Sequence, residues 1–375
     1  MGAVLLDFSV GPLFLWDAFS GTLSRELNAP TTAVSLAYSM GLAAFTVGVL
    51  FGGRFADVVA PRRLALVTGA GVVLGLGATA VATSLLVLVV GFGVVLGATT
   101  GLGYATAVRV AGTVPAKRGG AVALVVSAYA AGAVVLAPVV GVLLDFLGRA
   151  GMFMVLAVVL GVLIACSSLL LPATAPRSRA ASPGVAAVLP YRLPIVALWA
   201  MFLLGSAPAL IAFAHAGQFA RAPELTVVAV VLLNLGNFLG RLLAGPVSDR
   251  FGYAPALHLS AVVLVAACLV LATAEQAVAT LSALLALGLQ YGAVSVLTPV
   301  AVAVPVPADR FGTAYGMVYS GWGVVGFAGP IAAAWLAAAT SFPAVAGVLI
   351  GIAVLFWGAI AWVSSLLRRA AQPAR

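Results

Sequence analysis

Charge is what this sequence has least of. Lys, Arg, Asp and Glu together make 7% of its 375 residues, against about 25% in ordinary soluble domains. A soluble protein so poor in charge could not cover its own surface, so lipid is the solvent that fits. Lysine is nearly missing, Lys117 being the single one. Cysteine is scarce as well. Cys166 and Cys268 lie in separate apolar runs without metal-ligand spacing and read as small core hydrophobes. No phosphate-cradling GxxxxGK[ST] pattern, hydrolytic triad or metal cluster stands out. The sequence therefore points to no enzyme, cofactor, resident metal or ATP-driven step. No cleavable signal peptide is visible. The first apolar stretch begins almost at Met1, an abrupt start that leaves room for an upstream segment.

What is present is hydrophobic: 64% of the chain, with a net charge of +9. The basic residues sit in short gaps between apolar runs, which argues against nucleic acid as a partner. About 20 apolar residues span a bilayer core. Twelve candidate spans run near 2–22, 31–53, 63–83, 85–110, 119–142, 149–171, 193–216, 223–247, 255–274, 277–303, 313–338 and 342–366. They are called spans 1 to 12 below. The longest polar stretch, 172–192, carries Pro172, Pro176, Pro183, Arg177, Arg179 and Arg192 and reads as a linker between two halves, 1–171 and 193–375. With a cytoplasmic N-terminus, fourteen Lys and Arg residues fall on the cytoplasmic side and three (Arg25, Arg149, Arg221) on the other. That bias sets orientation and puts both termini in the cytoplasm of a plasma-membrane protein, expected for a bacterium.

The chain also repeats itself. Val114-Pro115-Ala116-Lys117-Arg118-Gly119-Gly120 recurs as Val306-Pro307-Ala308-Asp309-Arg310-Phe311-Gly312, an offset of 306 − 114 = 192. The same shift carries Gly53 onto Gly245, Asp57 onto Asp249 and Pro138 onto Pro330. Two copies of one unit in a polytopic chain are a feature of secondary transporters. Gly132 and Gly141 around Pro138, and Gly323, Gly326 and Gly329 beside Pro330, suit close packing and bending of spans 5 and 11, where small residues let helices approach.

Residues 53–63, Gly-Arg-Phe-Ala-Asp-Val-Val-Ala-Pro-Arg-Arg, resemble the GxxxDxxGxRR loop between spans 2 and 3 of the major facilitator superfamily, with Ala60 replacing its second glycine. The second copy, Gly245-Pro246-Val247-Ser248-Asp249-Arg250-Phe251-Gly252, is closer to the pattern. The resemblance covers essentially the whole chain. It implies an all-α polytopic membrane protein, twelve helices in two pseudo-symmetric bundles of six, acting as a functional monomer. It also implies that Gly53, Asp57, Arg62, Arg63, Gly245, Asp249 and Arg250 form a cytoplasmic latch. Within the superfamily the chain is most similar to the oxalate:formate antiporter and monocarboxylate transporter branch. Leu233-Asn234-Leu235-Gly236-Asn237-Phe238-Leu239-Gly240-Arg241 runs into the Gly245–Asp249 loop, with an arginine four residues before the glycine. In that branch this arginine binds the substrate carboxylate. Gly101-Leu102-Gly103-Tyr104 and Tyr319-Ser320-Gly321-Trp322-Gly323 resemble branch patterns too. In oxalate:formate antiporters a lysine lies about where Trp322 stands here. Its replacement makes oxalate doubtful and a monocarboxylate or other singly charged organic anion the better fit.

Arg241 is the sharpest candidate on physical grounds as well. Arginine at a helix centre costs about 2.5–3.5 kcal/mol on insertion scales and is tolerated where it faces a wet cavity and a partner. Its repeat counterpart is Val49, while Asn234 and Asn237 correspond to Leu42 and Phe45. The second half thus gained three polar groups that the scaffold did not need, spaced to share one helix face. Guanidinium offers a planar fork suited to carboxylate. Tyr104, Gln290, Tyr291, Tyr319 and Trp322 are expected to line the cavity with Arg241, Asn237 and Asn234. Asp17 and Asp7 in span 1, and His215 near the outer end of span 7, are the candidates to carry a coupling proton. The expected function is alternating-access transport of a small organic anion by proton symport or anion exchange. The alternatives are efflux of drugs or other hydrophobic solutes, with Arg241 structural, and a membrane receptor that transports nothing.

Overall fold

A computed structural model describes residues 1–113, 118–174, 185–307 and 310–371. Lys117, Arg177, Arg179 and the side chain of Asp57 lie outside the described residues. In a bilayer every backbone polar group must be satisfied internally, and the described residues form helices and turns with no strand. Among the described residues ten helices are long and apolar enough to cross a membrane, and a bent pair, Gly2–Leu15 with Asp17–Glu26, makes an eleventh span. One of the ten, Ala121–Leu169, is broken at Gly148 (φ 64°) into spans 5 and 6, giving twelve.

The break in span 1 has a local cause. Its first helix, Gly2–Ser9, stops before Gly11-Pro12, a 3₁₀ turn covers Pro12–Leu15, and the chain resumes as Asp17–Glu26 after a 48° bend. Spans 2 and 3 are the helices Thr31–Val58 and Pro61–Ala80. Span 4 begins at Leu85, is π-helical over Val89–Leu96, and continues as Gly97–Ala111. Within the expected linker, Val185–Tyr191 forms 3₁₀ turns leading into span 7, Arg192–Ala214. Spans 8 and 9, Thr226–Phe251 and Tyr253–Thr273, are separated by Gly252 alone, whose φ of 89° suits glycine. Spans 10, 11 and 12 are Ala277–Ala303, Phe311–Ala339 and Phe342–Ala371.

The sequence repeat is visible in space. A Cβ on Gly97 would meet the Gly41 carbonyl oxygen, and one on Gly101 that of Phe45. In the second half Gly288 meets Leu233 O and Gly292 meets Asn237 O. Leu233 and Asn237 are Gly41 and Phe45 shifted by 192, but Gly288 and Gly292 are Gly97 and Gly101 shifted by only 288 − 97 = 191. The slip matches the extra residue that a π-helical turn inserts in span 4. Spans 2 and 4, and spans 8 and 10, therefore cross backbone to backbone, as small residues permit.

The two halves meet along symmetry-related pairs. Span 2 packs on span 11, and span 8 on span 5. Gly323 of span 11 lies against Thr46 and Gly326 against Leu42, while Gly132 of span 5 lies against the Phe8 backbone. These positions would be overpacked by any side chain, which is how the Gly-rich segments around Pro138 and Pro330 bring helices together. The centre of the molecule, between spans 1, 5, 7, 8, 10 and 11, holds the polar residues described next.

Candidate functional site

Arg241 sits mid-way along span 8 and is 5% exposed. Its Nε donates to Asn237 Oδ1 at 2.9 Å, one turn earlier on the same helix, and its Nη1 donates to the Val126 carbonyl of span 5 at 2.9 Å. The guanidinium is thus fixed from both halves of the chain. The backbone beneath it is fixed as well, because Gly292 of span 10 packs against Asn237 O and Arg241 N. Asn237 Nδ2 is buried without a hydrogen-bond partner.

Arg241 lines a narrow central cavity. The walls are aromatic: Tyr104, Tyr129, Tyr291, Tyr315, Tyr319 and Trp322 supply most of them, with Phe14, Phe45, Phe202 and Ser295 completing the lining. The Trp322 Nε1–H donates to Tyr291 Oη at 2.8 Å, which orients both rings. Tyr319 stacks on Trp322 with ring centroids 5.6 Å apart, and the Tyr104 hydroxyl lies beside the guanidinium. One cation surrounded by rings and phenolic hydroxyls can hold a single anionic group. The hydroxyls add donors around it while the rings exclude water.

The cavity is shut on the side of the 27–30 connection, the face expected to be outer. Phe14 of span 1 stacks on Phe213 of span 7 with centroids 4.1 Å apart. Asn234 Nδ2 donates to the Phe14 carbonyl at 3.1 Å and to Val230 O at 2.9 Å. Asn234 therefore faces span 1, while Asn237 and Arg241 face the centre. Asp17 lies above this layer, 5% exposed, accepting from the Gly217 amide and from Ser20 Oγ.

The other expected residues are more dispersed. Gln290 precedes Tyr291 but turns the other way, and its Nε2 donates to Gly205 O of span 7 at 3.2 Å. His215 is buried at the end of span 7, its Nε2 3.2 Å from the Pro330 carbonyl and its ring against Phe342. Asp7 is fully buried in span 1, and neither carboxyl oxygen has a hydrogen-bond partner, although the Tyr129 backbone lies near it. On the opposite face, Gly53 and Gly245 are half-buried, while Arg62, Arg63, Asp249 and Arg250 are exposed. Arg62 N–H donates to Pro172 O, and Arg250 lies over the Phe251 ring.

Phe14, Phe45, Tyr129, Phe202, Ser295 and Tyr315 line the cavity but were not singled out in the sequence. Three carry a signal in hindsight. Phe45 is the repeat counterpart of Asn237, and Ser295 and Tyr315 lie one helical turn from Tyr291 and Tyr319. Phe14, Tyr129 and Phe202 carry none, since an aromatic residue in an apolar span looks the same whether it faces lipid, a neighbour or a void.

Comparison with known proteins agrees with this architecture. A point mutant of the nucleoside transporter NupG, solved by crystallography, superposes with a TM-score of 0.72 at 15% identity, covering 96% of this chain and 98% of that one. The uncharacterized MFS-type transporter YhjX of Escherichia coli (strain K12) is 23% identical over 337 residues, 86% of this chain and 84% of that protein. Residues 5–225 match the family described as Major Facilitator Superfamily. With twelve spans in two related halves and more than half of its length matched, the chain belongs to the major facilitator superfamily of membrane transporters.

Proposed function

We propose that the protein is a secondary carrier of a small organic anion, a monocarboxylate, working by alternating access between halves 1–171 and 193–375 with both termini in the cytoplasm. The observation that carries this reading is Arg241. It is a guanidinium buried in the centre of the fold, held by a neutral amide and a backbone carbonyl, and lining an aromatic cavity. A structural arginine buried away from water is more economically paired with a carboxylate, and the hydrogen bonds that Arg241 makes to Asn237 and Val126 are to neutral groups. With Trp322 where a second cation would stand, one negative charge is the natural load. Aromatic walls favour a compact acid with an apolar or lightly polar body. The drug-efflux reading has no comparable observation behind it, because the centre of the molecule is cationic and tightly lined.

The test is uptake of radiolabelled monocarboxylates, lactate and formate among them, into proteoliposomes. Arg241→Ala is expected to abolish uptake, and Arg241→Lys to leave a weakened, salt-sensitive residue of it, since lysine keeps the charge and loses the fork. Both variants should insert and fold. Uptake by Arg241→Ala equal to wild type would sink the reading.

A further inference from the structure

We infer, on the anion-carrier reading above, that Asp7 is the residue that carries the coupling proton, and that proton and anion share the Arg241 site. Three groups could have done so, and their surroundings separate them. The Asp17 carboxylate is committed to the Gly217 amide and the Ser20 hydroxyl, bonds that favour a fixed charge. His215 is held by the Pro330 carbonyl and flanked by Phe342, away from the cavity-lining set. Asp7 is different. It is completely buried, and both its oxygens are without a hydrogen-bond partner.

A carboxylate ion stripped of water and given no donor is among the costliest groups to bury, whereas a carboxylic acid is far cheaper. Burial without donors therefore describes a site for a proton. The groups facing Asp7 from the elements packed around it are Tyr129 of span 5, Tyr104 of span 4 and Arg241 of span 8. Arg241 is the one cation among them. It forms no ion pair with Asp7 in this conformation, its hydrogen bonds running to Asn237 and to the Val126 carbonyl, yet the two charges are close enough to interact.

This arrangement couples two ligands through one guanidinium. With a proton on Asp7, Arg241 keeps its full positive charge for an incoming anion. Without it, the Asp7 carboxylate competes with the anion for the same cation. One proton from water and one anion therefore enter together. On the far side the anion leaves, Asp7 releases its proton, and the carboxylate neutralises Arg241 for the return. No net charge moves in the loaded step.

Infrared spectroscopy of the purified carrier, reconstituted in lipid and titrated between acid and alkaline pH, tests the assignment without any cargo. Its outcome is thus separate from that of the transport assay. The wild type is expected to show the C=O stretch of a protonated carboxyl, lost in Asp7→Asn and shifted in frequency in Asp7→Glu. The Glu variant keeps an acid at the position and guards against a failure of the Asn variant to fold. A band present unchanged in both variants, or a wild-type spectrum with no protonated-carboxyl band at any pH in the range, would overturn the assignment. If the band behaves as expected while no organic acid is transported, Asp7 stands as a proton site and the identity of the cargo falls.

Discussion

Asp17 and Gly217 stand 200 positions apart in the chain, yet Asp17 Oδ2 accepts the Gly217 backbone N–H at 2.6 Å. The bond joins span 1 of one half to the short helix Ala216–Ala220 that follows span 7 of the other. Below it the Phe14–Phe213 stack and the Asn234–Phe14 bond close the same seam. An alternating-access carrier must break all three to open on this side.

Asp17 should therefore set how often that face opens. A hydrogen bond to a charged group is worth about 1.5–3 kcal/mol, so Asp17→Ala is expected to shift the balance roughly ten- to a hundredfold toward the state open at this face. Asp17→Asn, which keeps an acceptor, should shift it less. The readout is maleimide labelling of Ala220→Cys, a buried position beside the seam, with Cys166 and Cys268 replaced by serine. Labelling no faster in Asp17→Ala than in the parent would show that the bond does not hold the gate.

Trp322 governs both the order of the cavity and its charge. Trp322→Phe removes the bond to Tyr291 Oη and is expected to cost about 0.5–1.5 kcal/mol of stability, read as a small drop in Tm in detergent. Trp322→Lys adds a second cation to the lining. It should make oxalate a stabilising ligand in a thermal-shift assay where the wild type responds to monocarboxylates alone. Equal oxalate stabilisation of the two proteins would contradict a one-charge site.

Gly292 supports the backbone that presents Arg241. A methyl group there would press on Asn237 O and Arg241 N, and overpacking of this kind costs about 1–3 kcal/mol. Gly292→Ala should lower Tm and slow transport together. The contrasting substitution is Gly77→Ala, in the open part of span 3 with nothing within 4 Å of the added carbon. Alanine outranks glycine in a helix interior by about 0.8–1.0 kcal/mol, so no loss is expected. A Gly292→Ala variant as stable as Gly77→Ala would remove the crossing from the account of the site.

The linear chain carried the large-scale architecture because lipid leaves little choice. Long apolar runs must become helices, the runs count to twelve, and an offset of 192 residues tied the halves together. Arg241 stood out for the same reason, since a cation in an apolar run is conspicuous against its solvent. Helical spacing placed Asn234, Asn237 and Arg241 on a common side, but not which neighbour would cover each one. That left Asn234 indistinguishable from the others until span 1 was seen to occupy its end of the face. The same limit hid the turn of Gln290 toward span 7 and the roles of Phe14, Tyr129 and Phe202 in the cavity wall.

Composition and periodicity determined the solvent, the number of crossings, the internal duplication and the residue most out of place. Only packing decided which polar groups lost their partners. Asp7 and Asp17 are the same amino acid on the same broken span, and one is held by two donors while the other has none. That difference comes from what the opposing helices bring to each depth of the bundle, a property of distances between segments that lie far apart along the chain.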